Sequence, residues 1–385
     1  MDKIGNSIVA TSTVDQHNEH AYNQALEHLL SQLGGIERYV QPGMKVLLKP
    51  DLFSSPKEPG SQSTSAALIF AVAQKVRENG GEVIIADSPF VDNGDIREVW
   101  RHCQLIEPAR EHKAHLVNLE KYGSRPVTFE TDVYYLSQLI FDVDLIINLP
   151  KLRFDPITTF AGAISNMLGI LPGNHKSKIL QYANSSSTVS QKLCDLIAAV
   201  SPALTIMDGV NLINRNGEIS GEKLLLASED YVAVDVIAGY LCGLEPEKNN
   251  LTAAASESGL GMGYLDNIDV VGDIDPGSFG GSNNYSFISK LSNSFQKLIN
   301  SVNYSYLKLM PQIDEAKCDN CYLCSKICPT KALAVEENSY KLTVKSSMCI
   351  NCWCCRENCP NNAIVTKAIT NIPQNGTIYR KNCVV

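Results

Sequence analysis

Nine of the chain's 13 cysteines fall between Cys318 and Cys359, and their spacing restricts what that stretch can become. Cys318, Cys321, Cys324 and Cys328 lead into Pro329, and Cys349, Cys352, Cys355 and Cys359 lead into Pro360. Both runs read C-x2-C-x2-C-x3-C-P, and the second begins 31 residues after the first. Each continues into a short apolar tail, Ala332–Val335 and Ala363–Val365. This is an internal duplication. The opening residues carry no apolar signal core, so the chain is expected to be cytoplasmic, where dense cysteines suggest metal before disulfides.

The spacing has a physical meaning. Three closely spaced thiolates can wrap three corners of one cubane, while the fourth, beyond the x3 gap, is carried to the other cluster. Cys318, Cys321, Cys324 and Cys359 are therefore assigned to one [4Fe–4S] cluster, and Cys349, Cys352, Cys355 and Cys328 to a second. Pro329 and Pro360 turn the chain after the crossing ligand, because proline fixes φ and donates no backbone hydrogen bond. The stretch resembles a bacterial two-cluster ferredoxin over residues 311–368. Structural zinc is the alternative, but zinc takes well-separated C-x2-C pairs in closed sets of four. Cys354 is left over beside Cys355. It is either a small buried residue that tunes hydrogen bonding near a cluster or a spare ligand during assembly.

Residues 311–385 hold nine Lys or Arg against six Asp or Glu, a formal +3, which leaves −11 on the other 310 residues of a chain whose net charge is −8. A mildly basic scaffold offsets anionic clusters, and the opposite signs favour docking of the module on its own body. The acidic total argues against broad nucleic-acid binding. No apolar run is long enough to span a bilayer.

Residues 1–275 read as an α/β body. Apolar runs at Lys45–Leu48, Glu82–Ala86, His115–Asn118, Asp144–Asn148, Leu204–Met207 and Leu224–Ala227 are strand candidates. Several are apolar throughout, as strands buried on both faces should be. Helical patterns such as Thr64–Glu78 and Ala233–Leu241 lie between them, so the fold class is α/β, a largely parallel sheet covered by helices, with a C-terminal α+β two-cluster ferredoxin domain. Residues 276–310 read as a linker with an amphipathic helix, and 369–385 as a tail.

In open parallel sheets ligands bind beyond the carboxyl ends of the strands. Polar residues follow the apolar runs at Lys49 and Asp51, at Asp87 and Ser88, at Asn148, Lys151 and Arg153, at Asp208, and at Asp230. Taken singly, each is an ordinary strand end or helix cap. Taken together they outline one rim, on which Lys49, Asp87, Lys151, Arg153, Asp208 and Asp230 would bind or protonate a substrate. His175, Lys176 and Lys178 follow a stretch of small residues at 161–163 and would suit an anion. No dinucleotide, Walker, nucleophile-elbow or zinc-protease motif is present, so nothing in the sequence requires a flavin or other second cofactor.

The segments VLLKPDL, IIADSP, DLIINLPKLRFDP, TTFAGAISNMLGILPG, LTIMDGV and LLLASEDYVAVDVIAGYLCG occur in order. Together they resemble the iron–sulfur proteins grouped as domain of unknown function 362, whose members often end in a two-cluster module with a Cys-x-Cys-Cys variant such as Cys352–Cys355. Three rim positions depart from that family's usual pattern. Asp51 stands where Asn is usual, Arg153-Phe154-Asp155 where Lys-Thr-His is usual, and Ser165 where Lys is common.

Three functions follow from these features. One is a reductase in which the clusters relay single electrons to a small-molecule substrate, anionic if the His175–Lys178 cluster binds it, or a second cofactor on the body. Another is a non-catalytic electron-transfer subunit docking on a redox partner protein, and the last is a redox or iron sensor. Native mass spectrometry of protein purified without oxygen should show two [4Fe–4S] mass increments per chain; zinc-sized increments would overturn the assignment.

Overall fold

The structure, a computed structural model, describes residues 6–16, 18–53, 62–89, 95–130, 132–155, 159–176, 186–210, 223–242, 244, 249–274, 309–335 and 342–368. The expected helix within 276–310 and the tail at 369–385 lie almost wholly outside these residues, as does Lys178.

In chain order the strands are β1 (Ser7–Thr13), β2 (Lys45–Pro50), β3 (Glu82–Asp87), β4 (His115–Asn118), β5 (Ser124–Phe129), β6 (Asp132–Ser137), β7 (Leu145–Leu149), β8 (Arg153–Asp155), β9 (Thr159–Ala161), β10 (Leu204–Val210), β11 (Lys223–Ser228) and β12 (Ile268–Gly272). Eight of them form one sheet in the order β12-β1-β11-β10-β7-β2-β3-β4. From β4 to β10 all neighbours are parallel. Only β11 is reversed: it runs antiparallel to both β10 and β1, and β1 is in turn parallel to β12. β5–β6 and β8–β9 are separate hairpins. The body is thus the largely parallel α/β sheet expected, and all six predicted strands are present.

Strand periodicity explains why helices cover both faces. Side chains alternate across a strand, so Val46, Leu48, Val83, Ile85 and Ile147 point to one side, against helices Glu19–Ser31 and Ala66–Glu78. Leu47, Ile84, Ala86 and Ile146 point to the other, against helices Ser186–Val200, Tyr231–Leu241 and Asn250–Glu257. Every position of β10 is buried. A sheet with two apolar faces is stable only when both are covered.

The cysteine module comprises β13 (Leu309–Ile313), β14 (Leu333–Val335), β15 (Leu342–Val344) and β16 (Ile364–Ala368), with one-turn helices Leu323–Lys326 and Cys354–Glu357. β13 pairs with β16 and β14 with β15, both antiparallel. The 31-residue repeat is visible in the backbone. Asn320, Tyr322 and Lys331 have φ of 58°, 58° and 53°, and Asn351, Trp353 and Asn362 have φ of 58°, 61° and 48°. These left-handed residues, uncommon outside glycine, bend each loop around its cysteines. Even the backbone-to-sulfur bonds repeat: Ala332 N donates to Cys328 Sγ at 3.2 Å and Ala363 N to Cys359 Sγ at 3.2 Å.

Asp235 carries an unusual burden in the body. It is fully buried on helix Tyr231–Leu241 and accepts Ala163 N at 2.6 Å and Ile164 N at 3.0 Å, fixing the start of the Ser165–Ile170 turn. Burial pushes its carboxyl up to about 7, against the two backbone donors. A carboxyl raised on folding adds stability that is complete below its unfolded pKa and is lost as pH rises through the folded value. The melting temperature of wild type relative to Asp235→Asn should therefore fall between pH 5 and 7, by an equivalent of roughly 2 kcal/mol; thermal unfolding at matched cluster content measures it, and parallel pH curves would refute it.

Candidate functional site at the sheet edge and the cysteine module

The carboxyl ends of β2, β3, β7 and β10 meet along one edge of the sheet, and they bring five of the six predicted rim residues into three ion pairs completed by Asp51. Lys49, 1% exposed, places its ammonium 2.7 Å from Asp87 Oδ1, 2.8 Å from Asn166 Oδ1 and 2.8 Å from the carbonyl of Pro50. An ammonium has three donors, and all are used. Asp87 Oδ2 accepts Leu52 N at 3.0 Å. Asn166 donates in turn to Asn148 Oδ1 and to the Lys49 carbonyl. Gly169 packs so closely here that a Cβ would collide with Asp87 Oδ1, which accounts for the glycine.

Lys151 lies 3.1 Å from Asp208 Oδ1 and also donates to the Val210 carbonyl. Asp208 Oδ2 accepts Ser65 N at 2.7 Å, which ties β10 to the start of helix Ala66–Glu78. Arg153 Nε stands 3.3 Å from Asp51 Oδ2, with its guanidinium over the Phe53 ring. Burial raises the Asp51 carboxyl, while Arg153 lowers it. Asp51 and Arg153, two of the three departures noted in the sequence, thus meet as one pair. The third, Ser165, turns its hydroxyl onto Gly162 N at 2.8 Å and closes a local turn.

Asp230 stands elsewhere. β11 is antiparallel, so its carboxyl end lies beside the beginning of β10: Ser228 pairs with Thr205, and Lys223 with Val210. There Asp230 caps helix Tyr231–Leu241 through Val232 N and Ala233 N, and accepts Ser7 Oγ and Met262 N. It is a structural cap at the opposite edge of the sheet.

A second buried group adjoins Lys49 and Asp87. Ser88 Oγ donates to Glu120 Oε1 at 2.8 Å, Gly173 N contacts both, at 3.0 and 2.8 Å, and Lys176 donates to the Ser88 carbonyl. Lys176 is 1% exposed. Burial lowers its ammonium to about 8, opposed by the carboxylates of Asp87 and Glu120. Sequence reasoning named Lys176 and Ser88 but missed Glu120. The rule that found the others, a polar residue just past a parallel strand, points to it as well, since β4 ends at Asn118.

This second group lies under the cysteine module. Asn174 N donates to the Asn351 carbonyl at 3.0 Å. Gly173, at φ +58°, leaves no space: a Cβ would stand 2.6 Å from the Cys352 carbonyl and 2.6 Å from Trp353 Cδ1. Asn358 donates to the Glu120 carbonyl at 3.3 Å, and Asn118 to Glu357 Oε2 at 3.1 Å. Ser124 Oγ lies 3.5 Å from Cys354 Sγ. The second repeat of the module thus docks through backbone and amide groups and a buried thiol, where the charge split had suggested electrostatics.

Among the ligand candidates, Cys328, Cys349, Cys352 and Cys355 line one hollow together with Ile350 and Trp353. The Cys355 thiol is pushed up by burial and then by Cys352, Cys349, Cys328 and, last, Cys324. Cys324 is pushed up to about 11 by burial, and further by Cys359, Cys318 and Cys321. The second set, four thiols around one hollow, has the donor chemistry of a [4Fe–4S] site, where bound iron would offset their mutual repulsion. Cys321 is exposed, whereas Cys349, Cys352 and Cys355 are buried.

Residues 310–360 match the 4Fe-4S dicluster domain, so the module binds [4Fe–4S] clusters and serves iron–sulfur electron transfer. A thylakoid-associated protein of Synechocystis sp. is 31% identical over 244 residues, 61% of this chain and 74% of that one. Among solved structures, the lactate racemase apoprotein of Thermoanaerobacterium thermosaccharolyticum aligns at TM-score 0.35 and 13% identity, over 63% of this chain. A Thermotoga maritima structural-genomics protein aligns at 0.37 and 12%, over 62% of this chain. The chain spans 58% and 59% of those two proteins. No helix among the described residues is long and apolar enough to cross a membrane. Residues 46–239 match the domain of unknown function DUF362, and with half its length inside that match the chain belongs to the DUF362 family.

Proposed function

We propose that the protein is a reductase that delivers single electrons to a small molecule held at the sheet edge beneath the module. The observation that carries this reading is the seating of the Asn351–Trp353 loop on the Gly173–Asn174 turn, three residues before Lys176. In this reading Cys318, Cys321, Cys324 and Cys359 hold one cluster, Cys349, Cys352, Cys355 and Cys328 hold the other, and the bound clusters supply the electrons. The second set, buried against the body, is the delivery side. Lys176 supplies a proton: an ammonium lowered to about 8 is charged at neutral pH yet close to the point where it gives its proton up. Glu120 and Ser88 hold it in place, and the Lys49–Asp87 and Lys151–Asp208 pairs fix the strand ends around it.

A second reading, a non-catalytic electron-transfer subunit docking on a partner enzyme, draws support from the saturation of Lys49. A lysine with all three donors engaged and 1% exposure has none to offer a substrate.

Reoxidation of the chemically reduced protein by a panel of small anionic acceptors separates the two. The reductase reading expects one acceptor class to reoxidise the isolated chain; none doing so would transfer catalysis to a partner. With that acceptor, Lys176→Met should lower turnover at least tenfold with both clusters retained. Wild-type turnover should fall as pH rises through about 8, and this limb should vanish in Lys176→Met. Gly173→Ala, which places a Cβ against the Cys352 carbonyl, should loosen the docked loop and cost about 1–3 kcal/mol of stability; hydrogen exchange at the Asn174 amide, now bonded to Asn351, reads the loosening.

A further inference from the structure

The group read above as the proton donor is closed to solvent. Ser88 and Lys176 are each 1% exposed, Asn174 is 2% and Glu120 8%. The second half of the module rests on them: Asn351 accepts the Asn174 amide, Asn358 reaches the Glu120 carbonyl, and Cys352 and Trp353 close over Gly173. Yet the cover is thin. No residue of the module belongs to either apolar core of the body, and the small cluster of Ile350, Cys352 and Cys354 meets the body through Tyr135. The module's ion pairs among the described residues, Lys317 with Asp314 and Arg356 with Glu357, lie within it. The seat also carries a cost. The Asn174 side-chain amide is sealed with neither its nitrogen nor its oxygen hydrogen-bonded, and a buried polar group without a partner is destabilising.

We infer that the module is a lid: its second half lifts from the body to admit a small molecule with a carboxamide or lactam edge, which the Asn174 amide binds beside Lys176 and Glu120 before the module reseats. This rests on the reductase reading, which needs both states. Delivery of electrons requires the module seated, and entry of an acceptor requires it raised. Relative motion is the ordinary behaviour of domains joined by an interface that is neither large nor strongly apolar. Lifting brings water to the Asn174 amide, and a ligand bonded to that amide removes the same cost with the lid down. Binding therefore favours closure, since a ligand shifts an equilibrium by its preference for one state. The amide also indicates the ligand's class. It sets two N–H donors beside one acceptor. A carboxamide or lactam edge pairs with both atoms, whereas a carboxylate only accepts and would leave the Asn174 oxygen unpaired. Any charge on the acceptor then lies away from this edge.

The test uses the full chain, purified without oxygen. Ser124 Oγ of the body and Cys354 Sγ of the module are 3.5 Å apart, so Ser124→Cys can form a disulfide with Cys354 that holds the lid down. The probe is trinitrobenzenesulfonate, a small anionic amine reagent, and peptide mass spectrometry reads its addition to Lys176. Lys49, equally buried at 1%, is the internal reference. Lys176 should be labelled faster than Lys49 in wild type, no faster than Lys49 in the locked chain, and as in wild type once the disulfide is reduced. Asn174→Leu, which removes the unpaired amide, should slow labelling about fivefold. Nicotinamide should protect Lys176 better than nicotinate, its carboxylate counterpart. Wild-type Lys176 labelled no faster than Lys49, or labelled alike with and without the lock, would overturn the lid. If the disulfide does not form or costs iron, hydrogen exchange decides. The Asn174 amide, bonded to Asn351, should exchange faster than that of Asp208, bonded to Pro150 within the body, and equal rates would overturn the lid. Unchanged labelling in Asn174→Leu, or equal protection by the two probes, would overturn the ligand contact. An acceptor screen without a hit would sink the reductase reading alone, because labelling reports access whatever the chemistry.

Discussion

A single ammonium group organises the sheet edge. Lys49 lies at the end of β2, and its three protons are shared among Asp87 on β3, Asn166 on the Ser165–Ile170 turn and its neighbour's carbonyl. A charge this deeply buried survives only when every donor is satisfied, and removing one partner strands the others. The pair therefore locks three segments in register. Asn166 extends the lock to Asn148 on β7, and Asp235 fixes the same turn from the far side through its first backbone amides. The Gly169–Gly173 segment leaves this turn at a set height, and that height decides where the cysteine module can rest.

Two kinds of polar burial are thus layered at one edge. The inner layer, Lys49 with Asp87 and Lys151 with Asp208, consists of matched ion pairs. The outer layer, Ser88, Glu120 and Lys176, sets its ammonium on the Ser88 carbonyl, and burial depresses it. Matched pairs hold structure, whereas a lysine that burial lowers is the kind of group the proposed proton transfer needs, so the two layers differ in environment though not in residue type. In the pairing of Asp51 with Arg153, burial raises the carboxyl and the guanidinium lowers it.

Much of this was legible in the sequence, for reasons that can be named. The strands at Lys45, Glu82, Asp144, Leu204 and Leu224 announced themselves because burial on both faces leaves no polar alternation to confuse them. β1, reading SIVATST, and β12, reading IDVVG, were missed because they mix polar and apolar residues near the sheet's edge. Strand direction leaves no trace in composition. Asp230 followed an apolar run just as Asp87 and Asp208 did, and only the reversal of β11 sends it to the other edge. Glu120 escaped notice because it sits in a short 3-10 turn after a four-residue strand, where a glutamate looks like ordinary surface. The cysteine spacing was the most informative signal, since the geometry of a cubane leaves few ways to arrange eight thiols in 42 residues.

The 31-residue repeat gives the module two halves with nearly the same backbone, turn for turn and left-handed residue for left-handed residue. Taken alone, such an object has no preferred end. The body breaks that equivalence by gripping the second half, at Asn351, Trp353, Cys354 and Asn358, and leaving the first half's Cys321 and Leu323 to solvent. An internally symmetric part thereby acquires a polarity it does not possess in its own sequence, much as an unmarked cable becomes one-way once one plug is seated.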